Sequence, residues 1–215
     1  MKDRKHLRIL RLTSLALLLG LELLLALTPI GYLKIGGTSA TLLTLPIAVA
    51  AVALGPAESG ILGLAFGITS FVQCFFGDPL GTLAVSISPW RAAVMCILPR
   101  LVMGIAVGWI FRWLTRANCN KTVTCAVTCG CAPLLNTILF IESLVILYGS
   151  EPEVLALFKV SNLWGIVLAL ISLNAVLELA LCLIVGTPLT RIIARKDLLH
   201  RTNNHTGENE NENAD

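Results

Sequence analysis

Charge is scarce in this chain. Only 13% of its 215 residues are Asp, Glu, Lys or Arg, where a soluble domain carries about 25%. Histidine is missing from everything between His6 and His200, and the third, His205, lies in the same C-terminal tail as His200. The commonest general base is therefore absent from the body of the protein. No His-Glu-x-x-His, Gly-x-Ser-x-Gly or paired-Asp motif occurs, so nothing makes a convincing enzyme. No Gly-Lys-Ser/Thr phosphate loop occurs either. Energy-driven work would need a partner that hydrolyses nucleotide. The net charge of +3 is no nucleic-acid signal, because the basic residues cluster at the ends of apolar runs.

What fills the chain is apolar surface, at 56% of residues. At about 20 residues per span this leaves room for five to seven membrane helices and almost no soluble domain. The organising stretch is Gly36 to Phe76, GGTSATLLTLPIAVAAVALGPAESGILGLAFGITSFVQCFF. Gly55-Pro56 divides two apolar arms; Gly ends a helix well and Pro sits easily in the first turn of the next. Both arms are apolar nearly all round, so their solvent is lipid.

The expected fold class is an all-α integral membrane protein, a bundle of six transmembrane helices with both termini cytoplasmic. The helices are expected at about 12–28, 41–54, 58–76, 90–113, 122–148 and 163–189, within a membrane domain of residues 12–190. A basic N-terminal segment, 1–11, precedes it. A cytoplasmic tail, 191–215, follows and should end in disorder, since HRTNNHTGENENENAD is polar and low in complexity. Ala26-Leu27-Thr28-Pro29 makes a poor signal-peptide cleavage site, so the first apolar run is read as helix 1. Twelve of the 16 basic residues fall on one side of this topology, among them Arg8, Arg11, Arg112, Arg116, Lys121 and Arg191. The positive-inside rule makes that side cytoplasmic. The longer loops, Pro29–Ala40, Gly77–Pro89 and Gly149–Asn162, gather on the outer side, where a ligand lid belongs.

Seven cysteines are present, with Cys125, Cys129 and Cys131 in a CxxxCxC cluster near Cys119. No histidine lies close enough to complete a zinc pattern. They read as small buried apolar residues, and no metal or cofactor is expected.

Polar groups inside apolar helices cost free energy to place, so each one asks for a reason. Glu22 lies in helix 1, Arg100 in helix 4, Asn136 and Glu142 in helix 5, and Asn174 and Glu178 one turn apart in helix 6. Asn136 and Asn174 both donate and accept, so two helices could grip one small polar ligand. The structural alternative pairs Arg100 with Glu142 or Glu178 and uses the asparagines to join helices. Glu22 reads equally well as facing a partner or an outer vestibule. Small residues recur four apart at Ala16 and Gly20, Gly63 and Gly67, and Gly104 and Gly108. Such faces either pack the bundle internally or dock a membrane partner.

Four stretches together resemble the substrate-binding S components of energy-coupling factor (ECF) vitamin transporters, particularly the pantothenate-type branch. They are Thr41-Leu-Leu-Thr-Leu-Pro46 with Gly63-Leu-Ala-Phe-Gly67; Ser88-Pro-Trp90 leading to Pro99-Arg100; Leu135-Asn136-Thr137; and Asn174-Ala-Val-Leu-Glu178 leading to Pro188-Leu189. The resemblance spans about Thr41 to Leu189. It implies a multi-pass protein of the bacterial plasma membrane that binds a vitamin, pantothenate first, with folate and riboflavin behind it. Its partners would be a membrane coupling protein and two cytoplasmic ATPase subunits. Substrate would meet Arg100, Asn136, Asn174, Glu178, Thr41 and Thr44. Loop 1, with Lys34, Gly36 and Gly37, would be the lid, and Ala16 and Gly20 would dock the coupling protein. Two other classes stay open: a membrane-embedded enzyme with Glu142 and Glu178 as its acid/base pair, and a structural or assembly subunit.

Overall fold

A computed structural model describes residues 2–28, 32–35, 38–76, 79–157 and 173–193. The described elements are a helix α1 (Lys2–Leu27), two strands β1 (Tyr32–Ile35) and β2 (Thr38–Thr41), and then helices α2 (Thr44–Ala53), α3 (Pro56–Gln73), α4 (Pro79–Ile87), α5 (Pro89–Arg116), α6 (Lys121–Tyr148), α7 (Pro152–Leu157) and α8 (Leu173–Leu181). α8 runs on through a π-helical turn, Cys182–Gly186, and a last helical stretch, 187–193.

Three helical stretches among the described residues are long and apolar enough to cross a membrane: Arg8–Leu27, Pro89–Arg116 and Lys121–Tyr148. Large apolar side chains stand exposed along them, including Leu12, Leu17 and Leu24 on α1 and Trp109 and Ile138 on α5 and α6. Only a lipid environment makes such a surface stable. The first arm of the organising hairpin is a ten-residue helix, too short to span alone at about 1.5 Å per residue.

Three local features set the bundle. Gly55 has φ of 114°, a conformation only glycine adopts freely, and Pro56 opens α3 behind it. A side chain there would also meet the Arg112 guanidinium, 3.0 Å from an ideal Cβ. Asn120 caps α6 by accepting from the Thr122 N–H at 3.0 Å. α3 and α5 form the most extensive interface, and glycine makes it possible: a Cβ on Gly63 would collide with the Arg100 carbonyl, and one on Gly104 with the Ser59 carbonyl. Ser59 Oγ closes the contact, 2.8 Å from the Gly104 oxygen. The Gly63/Gly67 and Gly104/Gly108 faces thus pack against each other inside the bundle.

The core has two parts. The larger joins Ala26, Leu43, Ile47, Leu62, Phe66, Met103, Val107, Cys129 and Ala132 from α1, α2, α3, α5, α6 and the turn before α2. The smaller lies under α4 and α7, around Met95, Leu144 and Tyr148, where the Tyr148 hydroxyl reaches the Ala84 and Ser88 carbonyls at 3.0 and 3.1 Å.

Two features differ from an all-helical expectation. The first outer loop contains an antiparallel ladder, Tyr32 to Ile35 against Thr41 to Thr38, so Thr41 ends a strand rather than starting a helix. The loops expected at 77–89 and 149–162 carry α4 and α7. Each opens on a proline, Pro79 and Pro152, the residue best suited to a first helical turn. The expected start of the last helix, 163–172, the lid glycines Gly36 and Gly37, and the tail beyond 193 lie outside the described residues.

Candidate functional site

Arg100 is placed by its neighbour in sequence. Pro99 sits inside α5 and has no N–H, which leaves the carbonyl four residues back, that of Met95, without its helical donor. Arg100 Nη1 donates to that oxygen at 3.0 Å. The side chain thereby runs back along α5 and is buried, at 7% exposure. Its guanidinium lies over two aromatic faces, 4.5 Å from the Phe140 ring centre and 5.5 Å from that of Phe66. Both distances are in the range of cation–π attraction.

Asn136 stands one turn before Phe140 on the same face of α6. It is 8% exposed, and its Oδ1 is buried without a hydrogen-bond partner. Glu178 of α8 is 5% exposed. Its Oε1 accepts from Thr41 Oγ1 at 2.8 Å and from Thr44 Oγ1 at 2.9 Å, which ties α8 to the end of β2 and the start of α2. Thr44 Oγ1 also lies 3.4 Å from Cys182 Sγ, at the start of the π turn. A strand ends at Thr41 so that its hydroxyl and that of Thr44 meet one carboxyl oxygen.

Helix register shows at what level along the bundle these groups lie. α1 and α3 run parallel: Arg11 pairs with Glu58 at 3.0 Å, and Gln73 Nε2 donates to the Ala26 carbonyl at 2.7 Å. α3 and α5 run antiparallel, with Gly60 against Ile105, Gly63 against Arg100 and Gly67 against Ile97. The Met95 carbonyl, which receives Arg100, is therefore level with about Thr69 of α3, and so with Glu22 of α1.

Glu22 is fully buried, and both its carboxyl oxygens lack a hydrogen-bond partner. It therefore faces neither a partner nor an open vestibule in this structure. The other sequence candidates scatter. Glu142 is exposed on the outside of α6, away from Glu178, which leaves an acid/base pair of the two without geometry. Ala16 and Gly20 are exposed on α1, and nothing lies within 4 Å of a Cβ on Gly20. Lys34 pairs with Ser39 in the β ladder. Asn174 lies in α8, and its side chain is outside the described residues. No group of three or more His, Cys, Asp or Glu among the described residues is arranged to hold a metal. Sequence reasoning missed Phe66 and Phe140 as the faces under Arg100. The i to i+4 spacing of Asn136 and Phe140 was the available signal.

A family model described as "ECF transporter, substrate-specific component" matches residues 10–190. A pantothenate transporter, PanT, of Leuconostoc mesenteroides subsp. mesenteroides is 25% identical over 157 residues, covering 70% of this chain and 74% of the relative.

Proposed function

This chain belongs to the family of ECF transporter substrate-specific components, and from that premise we propose that it captures pantothenate at the outer membrane face for ATP-driven import. Family and relative alike are transport proteins, not enzymes. The observation that supports the reading is the buried Arg100 guanidinium, laid over Phe140 and Phe66, with the buried Asn136 one helical turn before Phe140 on α6. A guanidinium is the natural partner of a ligand carboxylate, because it offers parallel donors in a fixed plane. The free Asn136 oxygen would accept from a ligand hydroxyl or amide N–H. Pantothenate carries all three groups, and the relative's name points the same way.

In this reading the chain is a multi-pass protein of the plasma membrane, with six spans and both termini in the cytoplasm. β1 and β2, with Lys34 and the intervening Gly36 and Gly37, form the lid above the site. Ala16 and Gly20 meet a membrane coupling protein, which carries two ATPase subunits. The exposure of that α1 face supports the assignment.

The test is thermal unfolding of the purified protein against pantothenate, folate, riboflavin, thiamine and biotin. A ligand at a hundredfold excess over its dissociation constant adds about 2.7 kcal/mol to the folded state. A shift with pantothenate alone is expected. A shift with another vitamin would reassign the substrate, and no shift across the panel would overturn the capture role.

A further inference from the structure

Glu22 has no part in the site as the family resemblance draws it, yet it is the most completely enclosed carboxyl of the described residues, at 0% exposure. It shares a face of α1 with Leu15, Leu18, Leu19, Leu25 and Ala26, which stand three, four and seven positions away and pack on the larger core. Phe66 belongs to that same core and is one of the two rings under Arg100. Glu22 thus points into the core that Phe66 shares, and the register of α1, α3 and α5 puts it at about the level of the Met95 carbonyl along the bundle.

Neither Glu22 oxygen is hydrogen-bonded. A carboxylate accepts hydrogen bonds at both oxygens, a neutral carboxyl donates from one and accepts at the other, and either is costly to leave without partners in an apolar interior. The Asn136 oxygen on α6 is enclosed and unpartnered too. Two buried polar side chains, on α1 and α6, thus lack hydrogen-bond partners in the bundle that also encloses the Arg100 guanidinium.

We propose that Glu22 is a ligand-binding residue: α1 contributes to the substrate site, and Glu22 accepts a hydrogen bond from a hydroxyl or amide N–H of the bound molecule. The ligand class follows from the three groups. It carries an anionic end for Arg100 and hydroxyl or amide donors for Glu22 and Asn136. The helix that presents Ala16 and Gly20 outward then also senses the ligand inward. This rests on the reading of the chain as a vitamin-capture subunit.

The test compares the full-length protein with Glu22→Leu and Glu22→Gln, measuring pantothenate affinity by calorimetry and the ligand-free unfolding temperature. Glu22→Leu should unfold at a higher temperature without ligand, since an unsatisfied group is replaced by an apolar one of similar size, yet bind pantothenate at least tenfold more weakly. Glu22→Gln keeps an acceptor and should lose less. A pantothenate analogue lacking the secondary hydroxyl adds a cycle: if Glu22 takes that group, deletion weakens binding to the parent protein and not to Glu22→Leu. Equal affinity of Glu22→Leu and the parent overturns the proposal while the capture role stands, and so does loss of the ATPase partners with binding intact. A parent that binds no vitamin of the panel overturns both.

Discussion

Pro99 withholds the N–H that would have bound the Met95 carbonyl, and Arg100 supplies a replacement donor from its side chain. The adjacency gives Arg100 a structural duty beside any ligand duty, and the two can be separated. Arg100→Ala should orphan a buried carbonyl, at about 1–3 kcal/mol of stability, and abolish pantothenate binding. Adding Pro99→Ala restores the backbone donor. The double variant should recover much of the lost unfolding temperature and none of the binding. Recovery of both would mean that Arg100 serves only the helix. The polar residues themselves were legible in the sequence, because Arg100, Asn136 and Glu178 interrupt apolar runs where each costs free energy. What they touch was not. That Glu178 is met by Thr41 and Thr44, more than a hundred and thirty residues earlier in the chain, depends on long-range packing that local spacing does not encode.

At the scale of elements, small residues four apart mean opposite things on different helices. On α3 and α5 they are filled by backbone: Gly63 touches Arg100 and Gly104 touches Ser59. On α1, Gly20 faces open space. Gly63→Ala should therefore force α3 from α5 and cost about 1–3 kcal/mol, as overpacking does, read as a clear fall in unfolding temperature. Gly20→Ala should leave that temperature unchanged and, with a bulkier Gly20→Ile beside it, weaken copurification with the coupling partner. A tolerated Gly63→Ala would show that the two helices slide more easily than the packing implies. The long apolar helices were legible because a run of more than 20 apolar residues admits little else. The hairpin was signalled by Gly36-Gly37 between YLKI and TSAT, a two-residue glycine link between β-type runs. In a chain so dominated by helix, that short signal is outweighed, and the segment is expected as a loop rather than as paired strands.

Across the whole molecule, charge is sorted along the bundle. Arg11 binds the Leu54 carbonyl and Glu58, Arg112 packs on Gly55, and Arg116 and Lys121 flank the turn from α5 to α6. All lie at one end. The opposite end holds the β ladder and the Arg91–Glu151 pair at 2.9 Å. On α5, exposed Trp90 and Trp113 stand about 34 Å apart at 1.5 Å per residue, close to the roughly 30 Å of a hydrocarbon core between its aromatic belts. Such sorting supports the orientation proposed above, since basic residues favour the cytoplasmic side. Cys119 reports on it directly. It is exposed in the turn between α5 and α6, whereas Cys74, Cys96, Cys125, Cys129 and Cys182 are buried and Cys131 is partly so. A membrane-impermeant maleimide should label the protein in inside-out vesicles and not in right-side-out ones, and Cys119→Ser should remove the signal. Labelling from the outside would invert the molecule, place the β ladder toward the cytoplasm, and remove the basis for capture from outside.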